Sequence, residues 1–251
     1  MKNKKTLLNL ILPLITVMCL FAVWAIVSSI VGSEYILPSV WVTIRSAFAL
    51  FGKANFYLAL LYTFIRVIIA FVISFTLAFI LAFFSTKNQY VRRIVSPIIS
   101  IIRALPTIAI VLLLLFWTNS NVAPVVVTML VVLPTTYTGL KNALEEVDGE
   151  LKEMCQVFGV DKKQVFFKVQ LPAIMPSTCA LIGSGISLNL KLMVAAEVLS
   201  ATVRSIGNLL NYASYNGEMA SMMALVLVTV ILGFIIESVF NLISKKVGAW
   251  K

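Results

Sequence analysis

The stretch Leu151–Pro172, LKEMCQVFGVDKKQVFFKVQLP, is the only long polar run that lies between two apolar blocks of this chain. Its first part predicts a short amphipathic helix, because apolar residues recur at i, i+3, i+4 and i+7, at Leu151, Met154, Cys155 and Phe158. Gly159 follows, and glycine readily takes the left-handed conformation that ends many helices. Asp161 begins a capping-box pattern for a second short helix, which Pro172 should end near Leu171. The stretch therefore predicts two short helices joined by a glycine turn.

The composition excludes an ordinary soluble domain. The 251 residues are 61% hydrophobic and 12% charged, with a mean hydropathy of +1.02. The net charge is +10, yet the lysines and arginines lie between apolar blocks and form no dense basic run. We therefore expect a surrounding lipid bilayer and no nucleic acid partner. With no histidine and three cysteines, the sequence gives little support for a metal site or a disulfide framework.

Apolar segments long enough to cross a bilayer, which takes ~20 helical residues, recur along the chain. They predict an all-α polytopic membrane protein with about six transmembrane helices in one domain, residues 1–251. The predicted spans are residues 6–32, 56–84, 97–117, 122–144, 172–200 and 222–243, with a polar loop at residues 145–171. Proline should interrupt the third span at Pro106 and break the fourth at Pro134. The second span carries a small-residue face suited to close helix packing, formed by Ala70, Ser74, Ala78 and Ala82.

Basic residues set the expected orientation. Six spans place both termini on one side of the membrane. If that side is the cytoplasm, the inner segments hold fourteen lysines and arginines, and the outer segments hold three, namely Arg45, Lys53 and Arg204. Positive charge accumulates on the cytoplasmic side of membrane proteins, so we predict that both termini and the polar loop are cytoplasmic.

The spacing within the loop resembles the cytoplasmic loop of ABC-importer permeases. That family pattern is a glutamate and two alanines, three residues, a glycine, nine residues, then isoleucine, any residue, leucine and proline. The matching positions here are Glu153, Gly159, Val169, Leu171 and Pro172. The departures are Met154 and Cys155 in place of the two alanines, and valine in place of the isoleucine. The third span is also similar to the family, at Pro97, Arg103, Pro106 and Ala109.

The resemblance extends over nearly the whole chain, towards the nitrate/sulfonate/taurine-type permeases. Later matching positions are Glu197, Gly207, Gly233, Glu237 and Trp250. It implies the permease subunit of an ATP-driven importer in a bacterial or archaeal inner membrane. The implied solute is small, such as a sulfonate, nitrate, taurine or a vitamin precursor, and an extracytoplasmic binding protein delivers it. The implied partners are two ABC ATPase subunits, that binding protein and a second permease copy, in a homodimer.

Catalytic motifs are missing from the sequence. Gly52-Lys53 lacks the earlier glycine and the following hydroxyl residue of a phosphate loop, and no nucleophile can be paired with a histidine. We therefore expect no enzymatic activity and no cofactor in this chain, with ATP bound by a partner subunit. The loop would dock that ATPase by placing a helix in a groove. The candidate coupling residues are Leu151, Glu153, Met154, Cys155, Phe158, Gly159, Leu171 and Pro172.

The alternative function is an ATP-independent channel or facilitator, which would have no need of an ATPase-docking loop. A membrane-embedded enzyme would need clustered acids or histidines within the spans, and the sequence offers none. The docking loop therefore favours the importer.

Lys191 is the sharpest candidate for the substrate path. A lysine at the centre of a lipid-facing helix costs ~2.5–3.5 kcal/mol, so it should face a cavity or a partner. We expect Lys191 to line the path and to favour an anionic solute. Snorkelling, or pairing with an acid on another helix, remains the alternative. Arg103 and Glu197 are the other candidates; Glu197 is six residues from Lys191, which does not place the two on one helix face.

Overall fold

The computed structural model describes residues 2–147, 154–155 and 157–248. Its regular elements are all helices within these ranges. The chain divides into two compact units. One unit contains the residues up to Tyr57 together with Leu209–Val228, and the other contains Leu58–Asn208 together with the residues from Thr229 onward.

The first unit begins with helices α1 (Lys2–Val31) and α2 (Val40–Leu50). Ser39 caps α2, because its side chain accepts a hydrogen bond from the backbone N–H of Val42 at 3.3 Å. The segment between the helices is tied back to α1, where the Trp24 indole donates to the Pro38 carbonyl at 3.2 Å. The Ser39 cap satisfies a backbone N–H that the start of α2 leaves open.

Helix α3 (Ala54–Lys87) starts in the first unit and continues through the second. Its predicted small-residue face is confirmed, since all four side chains are fully buried: Ala70, Ser74, Ala78 and Ala82. Ser74 donates a hydrogen bond to the Met129 carbonyl at 2.8 Å, so the helix that follows residue 122 approaches this face closely.

The third predicted span has a different form from a single helix over residues 97–117. Helix α4 (Gln89–Ala104) starts earlier, where the Asn88 side chain accepts from the Tyr90 N–H at 2.8 Å. Helix α5 (Thr107–Trp117) follows at a bend of 93°. Leu105 and Pro106 between them are extended, so the predicted interruption at Pro106 is confirmed.

Helix α6 (Ala123–Glu145) continues through Pro134, so the predicted break there is wrong. Pro134 is buried, and α6 packs extensively against the helix that begins at Leu171. We attribute the unbroken helix to this packing, which outweighs the local cost of the proline. One core cluster of the second unit lies around α6, at Leu133, Tyr137, Leu140, Ala143, Leu144 and Ile174.

The prediction that Leu171 and Pro172 end a helix is also wrong. Helix α7 (Lys162–Val165) passes into a π-helical turn (Phe166–Gln170) and then directly into α8 (Leu171–Leu199). The Leu171 N–H donates to the Phe166 carbonyl, five residues back. The wider π turn relieves the clash that a proline ring makes in an α-helix, so the chain stays helical through Pro172.

Helices α9 (Ile206–Tyr215) and α10 (Met219–Gly248) complete the described chain. Within the described residues, four helices are long and apolar enough to cross a membrane: Ala54–Lys87, Ala123–Glu145, Lys163–Leu199 and Met219–Gly248. The bent pair α4–α5 gives a fifth span if it crosses as one unit. The described apolar part of α1, Ile15–Val31, falls just short of this length, and six spans stay a prediction.

Candidate functional site

The described part of the polar loop contains the predicted glycine turn. Met154 and Cys155 are helical, and Gly159 has φ +67°. The Val160 N–H donates to the Cys155 carbonyl at 2.9 Å across this turn, which is the six-residue bond of a Schellman motif. The predicted left-handed glycine is therefore confirmed. The candidate residues Leu151 and Glu153 lie outside the described residues.

Apolar side chains of this loop are exposed. Phe158 is 77% exposed, Val157 is 84% exposed and Met154 is 56% exposed, whereas Cys155 is half-buried. We call Met154, Val157 and Phe158 the loop surface. Exposure of apolar side chains to water is unfavourable, and burial against a partner would remove this cost. Three such side chains within about one helical turn suit a partner with an apolar groove. The docking of an ATPase at this loop stays a prediction.

Glu197 lies in a different setting, at the end of α8. Its carboxylate is fully buried and accepts hydrogen bonds from Thr63 at 2.9 and 3.0 Å and from the Gly207 N–H at 3.3 Å. Arg66 forms an ion pair with it at 3.0 Å. The other terminal nitrogen of Arg66 donates to the Asn121 side chain at 3.1 Å. We call Thr63, Arg66, Asn121, Glu197 and Gly207 the Glu197 cluster.

The Glu197 cluster joins four separate parts of the second unit. The two residues from α3 meet the end of α8, the start of α9 and the turn before α6. Thr63 also accepts a hydrogen bond from the Ile206 N–H at 3.0 Å. A Cβ at Gly207 would lie 2.5 Å from the Glu197 Cβ, so only glycine permits this approach. The closed geometry is at odds with a place for Glu197 on an open solute path.

The turn between α8 and α9 holds two non-glycine residues in the left-handed region, Ala201 at φ 49° and Arg204 at φ 52°. Hydroxyl groups brace it: Ser205 donates to the Thr202 carbonyl at 2.7 Å and accepts from the Asn208 N–H at 2.9 Å. Such local bonds offset the cost of the unusual backbone and hold α9 against the Glu197 cluster.

The other two path candidates lie apart from the Glu197 cluster. Arg103 is exposed at the end of α4 and donates to the Thr138 hydroxyl of α6 at 2.8 Å. Lys191 is exposed on α8, and its Cε lies 3.8 Å from the place of a Cβ on Gly233 of α10. The structure therefore separates Arg103, Lys191 and Glu197.

Sequence reasoning missed the partners of Glu197. The charged end of Arg66 is paired with Glu197 within the protein. The available signal was that Arg66 and Glu197 are opposite charges in two predicted spans, where an unpaired charge is costly. Thr63 and Gly207 carry no such signal in the sequence.

Long apolar helices, a buried ion pair between two of them and an exposed loop define a helical multi-pass membrane protein. Residues 74–249 match the family model of the binding-protein-dependent transport system inner membrane component. The chain belongs to this family of transport permeases.

Three curated relatives illustrate the family. The chain is 31% identical over 119 residues to the glycine betaine transport system permease protein OpuAB of Bacillus subtilis, covering 47% of this chain and 42% of that one. It is 26% identical over 170 residues to the formylaminopyrimidine transport permease protein ThiX of Halalkalibacterium halodurans, covering 66% of each. It is 22% identical over 258 residues to a putative ABC transporter permease protein of Methanocaldococcus jannaschii, covering 99% and 94%. The chain thus spans about two fifths of the length of the betaine permease that it matches.

A solved structure supports the fold. The chain is similar to an inward-facing structure of the MetNI methionine ABC transporter, with a TM-score of 0.60 and 22% identity. The likeness covers 82% of this chain and 96% of that one.

Proposed function

We propose that this chain is the permease subunit of an ATP-driven importer and forms the translocation path for a small solute. The observation that carries the proposal is the loop surface, in which a helix ended by Gly159 leaves Met154, Val157 and Phe158 exposed. Membership of a binding-protein-dependent transport family supports the same function. On this account the chain catalyses no reaction itself, and a separate ATPase binds ATP.

The loop would couple ATP hydrolysis to movement of the spans. Phe158 and Met154 would enter a groove of the ATPase, together with Leu151 and Cys155 of the same predicted stripe. The π turn at Phe166–Gln170 connects the loop to α8 without a break. A push on the loop would therefore reach the long helix that carries Lys191.

Membership of the family supports a proposal for the rest of the assembly. We propose a homodimer in the inner membrane with both termini in the cytoplasm, two ATPase subunits and an extracytoplasmic solute-binding protein. Relatives are named for glycine betaine and for formylaminopyrimidine, so the solute is proposed to be a small polar molecule of that kind. Lys191 is proposed to line the path between the two permease copies, and Arg103 is proposed as a separate contact with the solute.

Reconstitution into liposomes tests the proposal. The chain is combined with a candidate phosphate-loop ATPase from the same organism, and ATPase affinity is measured for the wild type, Phe158→Ala and Phe234→Ala. Phe234 is a matched control because it is 71% exposed on α10, away from the loop. We expect Phe158→Ala to weaken ATPase binding at least tenfold, as truncation of an interface aromatic does, and Phe234→Ala to leave it unchanged. Equal affinity for all three proteins would contradict the docking role.

The same liposomes separate the importer from a facilitator. An importer accumulates solute only when ATP, the ATPase and the binding protein are all present. Equilibration of solute by the chain alone, without ATP, would favour the ATP-independent channel or facilitator.

A further inference from the structure

Aromatic side chains attach the polar loop to α3. The ring of Phe166, the first residue of the π turn, lies edge-on to the ring of Phe83 on α3, with 5.1 Å between the ring centroids and 78° between the ring planes. Aromatic rings favour this arrangement because the positive edge of one ring meets the negative face of the other. Both residues are half-buried. The loop therefore contacts α3 as well as α8, into which it continues.

A lysine lies over the same rings. The Lys87 Nζ is 4.0 Å from the ring centroid of Phe83 and 6.0 Å from that of Phe166. Lys87 follows Phe83 by four residues, on the same face of α3. An ammonium at this distance is attracted to the negative faces of aromatic rings. We call Phe83, Lys87 and Phe166 the loop–α3 contact.

Helices α3 and α8 also contact each other farther from the loop. A Cβ at Gly185 of α8 would lie 2.6 Å from the Phe71 ring of α3, and the Asn189 side chain donates to the Val67 carbonyl at 3.0 Å. Glu197 meets α3 at the far end of α8. Residue numbers fall along α3 as they rise along α8, so the two helices run antiparallel.

The two helices are therefore joined near both ends. The loop–α3 contact lies at one end, and the Glu197 cluster lies at the other, roughly 30 Å away along α3 at the helical rise. Between them, the fully buried Asn189 amide fixes the register of the two helices. Closely packed helices have discrete arrangements and do not deform continuously, so this pair should move as one body.

We propose that the loop–α3 contact passes movement of the loop to α3, and that Phe83, Lys87 and Phe166 are positioning residues for coupling. The inference rests on the proposed function and adds a second connection between the loop and the long helices. Without this contact, the loop would act on α8 through the π turn, and α3 would follow only through its packing against α8. The contact thus keeps the two helices together when an ATPase moves the loop.

Hydrogen exchange in the purified chain tests the contact first. Amide exchange of residues 162–170 is measured for the wild type, Phe83→Ala and Phe116→Ala. We expect Phe83→Ala to speed this exchange by roughly threefold or more, because Phe166 loses its aromatic partner on α3. Phe116 is the control, because it is a strongly exposed phenylalanine on α5. Exchange that Phe83→Ala leaves unchanged would overturn the proposal.

Variants of Lys87 separate its charge from its packing. Lys87→Met keeps a long side chain without the charge, whereas Lys87→Arg keeps a cation over the rings. We expect Lys87→Met to speed exchange in the same residues by about twofold to fivefold, as loss of an exposed cation–π contact does, and Lys87→Arg to leave it unchanged. Equal exchange in the methionine and arginine variants would remove Lys87 from the positioning residues.

Fluorescent labels on α3 and α8 then test the passage of movement. The native cysteines Cys19, Cys155 and Cys179 are replaced by serine. An environment-sensitive fluorophore is attached through Leu77→Cys on α3 or Met175→Cys on α8, two positions of similar exposure. Fluorescence is recorded in the complex with the ATPase, before and after ATP is added.

With Phe83 intact, we expect ATP to change the fluorescence at both positions. Phe83→Ala should reduce the change at position 77 by roughly twofold or more and leave the change at position 175 intact. The affinity for the ATPase should be the same in both chains, because the loop surface is not altered. This last measurement separates a loss of coupling from a loss of docking.

The failure of this inference and the failure of the proposed function give different results. A change at position 77 that keeps its full size in Phe83→Ala would leave the importer intact and overturn the role of the loop–α3 contact. ATP that alters neither label while the ATPase is bound would contradict the proposed function, and this role with it.

Discussion

The Glu197 cluster and the loop surface differ in whether the chain itself supplies partners for their side chains. At the first, a carboxylate is fully buried, and donors from α3 and α9 occupy both of its oxygens. At the second, Met154, Val157 and Phe158 are apolar and exposed. The first region is completed by the chain itself. The second is left incomplete, which is the expected state of a surface that awaits a partner.

This difference separates stability from function. Residues of the Glu197 cluster should affect folding before they affect transport. Residues of the loop surface should affect coupling while leaving the folded chain intact. Lys191 and Glu237 share features of both regions, since they are charged yet lack partners within the described chain. Four substitutions test this division, from the largest expected loss of stability to the smallest.

Arg66→Ala should have the largest effect. Removal of one member of a buried ion pair leaves an uncompensated charge and costs about 3–5 kcal/mol. We expect a lower thermal midpoint of the purified protein and less protein in the membrane. The double variant Arg66→Met with Glu197→Gln removes both charges and should recover much of the loss. A single variant as stable as the wild type would show that the ion pair does not hold the cluster together.

Gly207→Ala should be the next most damaging change. The added Cβ would lie 2.6 Å from the Val198 backbone nitrogen, so the turn between α8 and α9 must shift. Overpacking of this kind costs about 1–3 kcal/mol. Gly52→Ala is the matched control, because its Cβ would meet only the Ala49 carbonyl at 3.5 Å. If the two variants unfold at the same temperature, the close approach at Gly207 is not needed.

Gly159→Val should spare the fold and break coupling. A Cβ at Gly159 has nothing within 4 Å, so the only strain comes from φ +67°, which costs a residue with a side chain about 1–2 kcal/mol. We expect the thermal midpoint to fall by only a few degrees, and ATP hydrolysis no longer to drive uptake in liposomes. Gly159→Asn should retain uptake, because asparagine tolerates the left-handed region. Normal uptake by the valine variant would show that the turn at Gly159 has no role in coupling.

Lys191→Met should have the smallest effect on stability, within about 0.5 kcal/mol, because the side chain is exposed and unpaired among the described residues. Transport is the informative measurement here. At matched membrane levels we expect Lys191→Met to lose uptake and Lys191→Arg to keep it. Uptake by the methionine variant at the wild-type rate would remove Lys191 from the path.

Much of the fold could be predicted from periodic and compositional signals. The small-residue face of α3 follows from a simple repeat, and the turn at Gly159 follows from the one residue type that prefers positive φ. The distribution of lysine and arginine is also read directly from the sequence. It predicts which side of the membrane the termini face, and a structure without a membrane does not test this. These features depend on residues close together in sequence.

Effects of distant packing were not predictable in this way. Pro134 lies within an unbroken helix because α8 packs along α6, and Pro172 is accommodated by a π turn. The Glu197 cluster joins residues 63 and 197, whose proximity no local pattern records. Gly207 becomes necessary only once that contact exists.

The most direct test of the central claim is the accessibility of the loop surface. Phe158→Cys, in a chain whose native cysteines are replaced by serine, is labelled with a maleimide in inside-out vesicles, with and without the partner ATPase. Tyr90→Cys is the control, because Tyr90 is 76% exposed at the start of α4 and so matches the exposure of Phe158. The account predicts rapid labelling of both cysteines in the chain alone and strong protection of the cysteine at position 158 once the ATPase binds. Labelling at position 158 that proceeds equally fast with the bound ATPase would contradict it.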